Sequence, residues 1–262
     1  MRVWLVASAV AISACSLFVD LGPLAGGDAS SDVQVETSAD VVTLDGGDAA
    51  CPPRMVAGNG FCIDATELSA QDYAAFFAAV TADASARASP PECAWKTSTS
   101  NGAALGPSFP IAQVDWCDAF AYCAWAGKRM CGRVGGGSVP YDQAAFSGEW
   151  ELACSPDGRI FPYGNVFDGS VCDTFDGGAT IPTGSPCIGG LDGLHDMAGN
   201  VSEWIDSCLP TDDAGDASSD LCHDMGDSFA FVQTQPARCD NADNTHRRDR
   251  FDFIGIRCCT SR

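Results

Sequence analysis

Cysteine and histidine are the residues of this chain best suited to redox or metal chemistry. There are 15 cysteines but only three histidines: His195, His223 and His246. Chains that use cysteine for metal usually carry CxxC pairs with partnering histidines. No CxxC pair occurs here. Thiols in such number point instead to disulfides and to an oxidising compartment outside the cytosol. His195 and His223 are too distant in sequence to argue a shared site, so a surface or turn role is the default for each. No Ser-His-Asp order can be defended from spacing alone. The aspartates at 212, 213, 216 and 220 lie in an acidic stretch, Thr211 to Asp220. Their spacing does not match a calcium-binding helix–loop–helix. The stretch reads as a solvated loop between Cys208 and Cys222.

The bulk numbers narrow the classes further. The chain has 262 residues, 14 Lys plus Arg against 35 Asp plus Glu, and a formal net charge of −21. Such a balance repels phosphate backbones, so nucleic acid is not an expected partner. With 46% apolar residues the chain can build one sizeable core.

The odd cysteine has an explanation at the N-terminus. Arg2 is followed by an apolar run from Val3 to Ile12, then Ser13, Ala14 and Cys15. A positive start, a short apolar run and small residues make a secretory signal. The run is shorter than the roughly 20 apolar residues of a spanning helix. Ile12-Ser13-Ala14-Cys15 resembles the bacterial lipobox, which implies cleavage before Cys15 and lipidation of its thiol. The alternative is an ordinary cleaved signal with Cys15 incidental. Residues 1–14 are therefore expected to be a signal peptide. Residues 15–50, rich in Asp, Gly, Ser and Ala and free of Lys and Arg, are expected to be a disordered, lipid-anchored acidic linker.

The elements begin near Cys51. Met55 to Ile63 alternates weakly and carries glycines, which suggests a short strand pair with Cys51 and Cys62 close enough to bridge. Ser69 offers an N-cap hydroxyl, with Asp72 three residues on. Tyr73, Phe76, Phe77 and Val80 then follow at i, i+3, i+4 and i+7, predicting an amphipathic helix. A second helix is predicted over 116–126, capped by Asp115 and stopped by Gly127. Phe146 to Cys154 suggests a third. Beyond it Gly, Pro, Asp and Cys dominate, and few residues keep a helical period. Trp95, Trp116, Trp125, Trp150 and Trp204 are expected in the core.

Six segments together resemble the formylglycine-generating enzyme, or sulfatase-modifying factor, family. They are MVAGNGFCIDATELSAQDYAAF (55–76), PIAQVDWCDAFAYCAWAGKRM (110–130), GEWELAC (148–154), FPYGN (161–165), GLHDMAGNVSEW (193–204) and IGIRCC (254–259). Their order and rough spacing match the family over residues 51–262. The resemblance implies an α+β fold related to C-type lectins, irregular and disulfide-rich. It also implies a chemistry: oxidation of a sulfatase cysteine to formylglycine with oxygen and a copper ion held by two thiolates. The segment aligned with the family's Gly-Gly-Ser is Met225-Gly226-Asp227-Ser228-Phe229, and the structural cysteine is matched by Cys239. No cysteine lies between Cys222 and Cys239. Both copper ligands are missing, so copper is not expected, and rescue would need Cys222 or Cys239 as a free thiol. The tryptophan usual after Asn-Val is Ser202.

Two disulfides are implied by the resemblance: Cys123 with Cys258, and Cys154 with Cys239. Proximity in sequence then suggests Cys51–Cys62, Cys93–Cys117, Cys172–Cys187 and Cys208–Cys222, which leaves Cys131–Cys259. Sequence does not fix this connectivity, and Cys258 and Cys259 could exchange partners. The resemblance also implies a calcium ion at the segment 195–204. Its ligands would be the carboxylates of Asp196 and Glu203 and the carbonyls of Gly199 and Val201. The family has an arginine near the basic cluster Arg247, Arg248 and Arg250, or at Arg257. An anion contact is one reading, and internal ion pairs are the alternative.

These observations describe a cell-envelope lipoprotein of bacteria, anchored to the membrane by lipid and facing the periplasm or the outer surface. Its sulfatase-modifying factor-like domain is expected to be a non-catalytic binding or scaffold unit stabilised by disulfides and calcium. An envelope protein, a peptide or a glycan would be its partner. The alternatives are a formylglycine-generating oxidase and an iron-dependent oxidase relative.

Overall fold

Helix α1 (Ala70–Ala82) starts where Ser69 Oγ accepts the Asp72 backbone N–H. Tyr73, Phe76 and Val80 turn inward from it, so the predicted apolar stripe is the buried face. Helix α2 (Trp116–Trp125) is closed at its N-terminus by a capping box. Asp115 accepts from the Asp118 N–H, and the Asp118 side chain accepts from the Asp115 N–H. Gly127, at φ 71°, takes the chain out of the helix. The two helices meet through Tyr73, Phe76 and Tyr122, whose rings lie 5.4–5.9 Å apart.

The computed structural model describes residues 50–169, 171–172, 179–211, 215–230 and 236–262. The expected signal peptide, Cys15 and all but the last residue of the expected linker lie outside them. No described helix is long and apolar enough to cross a membrane.

The strands form two four-stranded sheets. The first has the order β1-β2-β8-β3, all antiparallel, from β1 (Met55–Ala57), β2 (Phe61–Asp64), β3 (Arg129–Met130) and β8 (Cys258–Ser261). The second has the order β6-β5-β4-β7, from β4 (Ser202–Leu209), β5 (Leu221–Met225), β6 (Ala242–His246) and β7 (Ile254–Gly255). β7 pairs with β4 in parallel, and the other pairs are antiparallel. The third predicted helix is two short pieces, α3 (Ala144–Ser147) and α4 (Glu149–Cys154). Gly148 is extended at ψ 159° and breaks the run. The next residue, Glu149, donates its backbone N–H to the Gly132 carbonyl at 2.8 Å.

Seven disulfides join the described cysteines: Cys51–Cys62, Cys93–Cys117, Cys123–Cys258, Cys131–Cys259, Cys154–Cys239, Cys172–Cys187 and Cys208–Cys222. These are the expected pairings. Adjacent Cys258 and Cys259 point to opposite faces of β8, as neighbours on a strand must. One therefore reaches α2 and the other Cys131, just past β3.

Three expectations need correction. Trp125 is 40% exposed, because it stands at the last position of α2 and only tilts against Phe76 and Tyr122. His223 is buried in β5, not in a surface turn; its Nδ1 faces the Asp243 carbonyl and its Nε2 the Tyr141 carbonyl. Asp220 is not solvated but buried against Arg247.

Candidate functional site

The segment 195–204 runs from an irregular turn into β4. Asp196, Gly199 and Asn200 have φ of 58°, 88° and 57°, so the backbone passes through the left-handed region three times in five residues. Aspartate, asparagine and glycine are the types that tolerate this. Gly226, at φ 94°, packs so closely beneath the Trp150 ring that an added Cβ would sit 2.9 Å from it. It also accepts the Gly199 N–H at 2.8 Å.

At the centre lies Arg257, the largest charged side chain that is fully buried. Its Nη2 is 2.8 Å from Glu203 Oε1, and its Nε is 2.9 Å from both carboxylate oxygens. Its other donors reach the carbonyls of Asp64 and His195, each at 2.8 Å. Glu203 also accepts from the indole N–H of Trp150. Asp196 accepts from the Gly184 N–H at 2.8 Å, the Ser185 N–H at 3.2 Å, and the Ser185 hydroxyl. A third acid was not singled out from sequence. Glu67 is fully buried and accepts from Asn200 Nδ2 at 2.7 Å and the Val201 N–H at 3.1 Å. Burial, reinforced by the nearby Asp196 and Glu203 charges, holds its carboxyl well above the usual range. Burial likewise raises Glu203, against the lowering pull of Arg257.

The expected calcium ligands thus share one turn, and Asp196, Val201 and Glu203 are all buried. They do not fit calcium as arranged. Calcium takes six to eight oxygens with free lone pairs. Here the Asp196 and Glu203 carboxylates are taken up by five donating groups of the chain, one of them a guanidinium. No group of three or more described His, Cys, Asp or Glu side chains is placed to hold a metal. Sequence shows that Asp196 and Glu203 are near neighbours, but not that Arg257, more than fifty positions away, closes on them.

The Gly-Asp-Ser segment is equally closed. Ser228 is fully buried, and Asp227 is held by Asn241 Nδ2 at 2.8 Å. The two cysteines flanking the missing copper pair are both oxidised, Cys222 to Cys208 and Cys239 to Cys154. Beside Phe229 a groove of about 290 Å³ opens between Leu105, Ala112 and Asp252. Of the basic cluster, Arg247 is buried and pairs with Asp220 at 3.0 Å, while Arg248 is exposed and donates to Ser219 Oγ at 2.7 Å.

This geometry defines an α+β domain built on irregular, disulfide-tied loops. Among solved structures its fold is similar to that of CarF, with a TM-score of 0.54 at 19% identity over 77% of this chain and 86% of that one. PvdO from Pseudomonas aeruginosa matches with a TM-score of 0.50 at 23% identity, over 77% of this chain and 80% of that one. The family pattern described as "Sulfatase-modifying factor enzyme 1-like domain" matches residues 23–262, and the chain belongs to that family. The match begins inside the segment read as linker. Curated relatives include the inactive C-alpha-formylglycine-generating enzyme 2 of Bos taurus, 32% identical over 38% of this chain and 33% of that protein. The formylglycine-generating enzyme of Thermomonospora curvata is 31% identical over 44% of this chain and 39% of that protein. The chain thus spans between a third and two-fifths of the length of these relatives.

Proposed function

We propose that this protein is a non-catalytic member of its family, acting as a binding or scaffold domain tethered to the bacterial cell envelope through Cys15. One observation carries the reading. Copper chemistry in this family needs two thiolates, and every described cysteine is consumed in a disulfide. The similarity to relatives named as inactive supports it as well. The buried Glu67–Asp196–Glu203–Arg257 network then serves rigidity: it fixes an irregular turn without a metal.

The test is twofold. The purified chain should bind no stoichiometric cuprous copper and leave a sulfatase-motif peptide unmodified. Copper binding abolished by Cys222→Ser or Cys239→Ser would overturn the proposal. For the tether, labelled palmitate should enter the wild-type chain in bacteria and not Cys15→Ser. Equal labelling of both would remove the anchor from the reading.

A further inference from the structure

Away from the Gly-Asp-Ser segment, a cavity of about 350 Å³ opens where α2 meets the end of β4 carrying the Cys208–Cys222 disulfide. Arg247 lines it and is 3% exposed. Its guanidinium lies over the Trp116 ring at 4.5 Å from the centroid. Nη2 donates to Asp220, but Nε and Nη1 are buried with no hydrogen-bond partner. Leaving such donors unmade is costly, and an orphaned buried guanidinium needs an explanation.

The rest of the lining says what would satisfy it. Glu92, Asp206 and Asp220 also face the cavity. Three carboxylates against one guanidinium leave a net negative wall, which repels a phosphate or a free carboxylate. The missing partner must therefore supply acceptor atoms without negative charge. Asp220 already takes Arg247 and Asp206 accepts from Ser138 Oγ at 2.8 Å, so donors from the partner would go to Glu92 and to the second oxygen of Asp206. Hydroxyl groups do both. Phe120, stacked on Trp116 with centroids 5.6 Å apart, adds a half-buried aromatic wall suited to the C–H face of a ring. A cavity of this size lies in the range of small-ligand sites.

We propose that this cavity binds a polyhydroxylated ring ligand, a sugar unit, with Arg247 donating to ring hydroxyls and Glu92 and Asp206 accepting from them. Amino sugars are favoured over neutral ones and acidic sugars are rejected. The site stands independently of whether the chain is catalytic, because it shares no residue with the Gly-Asp-Ser segment or the Arg257 network.

Titration of the full chain with glucosamine, glucose and glucuronic acid, followed by tryptophan fluorescence and calorimetry, tests it. Glucosamine should bind saturably in the millimolar range, glucose about tenfold more weakly, and glucuronic acid more weakly still. Arg247→Lys should weaken glucosamine by at least about tenfold. Phe120→Ala, at a half-buried position, should do the same and covers the case in which Arg247→Lys does not fold. The double variant Glu92→Gln/Asp206→Asn should erase the preference for glucosamine over glucose. No saturable binding of any of the three below ~50 mM would overturn the proposal. So would tightest binding of glucuronic acid, or full affinity in Phe120→Ala.

Discussion

Asp224 shows how a single buried acid couples this molecule to pH. It stands in β5, fully enclosed, with Thr245 Oγ1 donating at 2.9 Å. Burial pushes its carboxyl up to about 7, well above the ordinary aspartate value. The folded state therefore holds a proton that the unfolded state releases near pH 4. Stability from this group is complete below pH 4 and falls as pH rises toward 7. Between pH 5 and pH 8 the loss should be on the order of 2–3 kcal/mol. Chemical denaturation across that range should show it, and Asp224→Asn should flatten the curve. Arg257 gives a second prediction at this scale. Arg257→Met leaves Glu203 charged and enclosed, so it should cost roughly 3–5 kcal/mol, while Glu203→Gln/Arg257→Met should recover part of that loss. Neither role was legible in sequence. An Asp in LCHDM or an Arg in IGIRCC carries no sign of burial, since burial depends on partners far along the chain.

Helices were legible where a period of 3.6 and a cap coincided. Ser69 marked the start of α1 and the stripe Tyr73, Phe76, Phe77, Val80 its inner face, and Asp115 with Gly127 bracketed α2. The second sheet was not legible. In β4 the first five residues include four buried ones in succession, so inward and outward positions do not alternate. The turn before β4 was recognised only as a set of family-like residues. Its expected calcium is a matter of element-scale geometry. Because Arg257 already supplies the positive charge there, EDTA should leave the melting temperature unchanged. A rise on adding calcium, lost in Glu203→Gln, would restore the four-ligand site. At α2, the capping pair also holds Lys96 through Asp115 and, at 3.0 Å, Asp118. Asp115→Ala removes a cap worth about 1 kcal/mol and half of a buried ion pair. It should therefore destabilise more than Asp115→Asn, as thermal melts would show.

Over the whole molecule, long-range bridges replace much of what regular structure would supply. Cys131–Cys259 closes a loop of 128 residues, and Cys51–Cys62 one of 11. Chain entropy alone gives about 5 kcal/mol for the first and about 3 for the second. Replacing both cysteines of the long bridge by alanine should accordingly lower the unfolding free energy more than the same change in the short one. Cysteine parity and family order made these bridges readable, because pairing constrains numbers as well as positions. The position of β8 has a further consequence. It sits inside the first sheet, between β2 and β3, although it is the last strand in the chain. A polypeptide made N-terminus first can pair β2 with β1 but cannot join that hairpin to β3 until Cys258–Ser261 is available. A chain cut before Cys258 would therefore leave β2 and β3 as two separated edges instead of a shortened sheet.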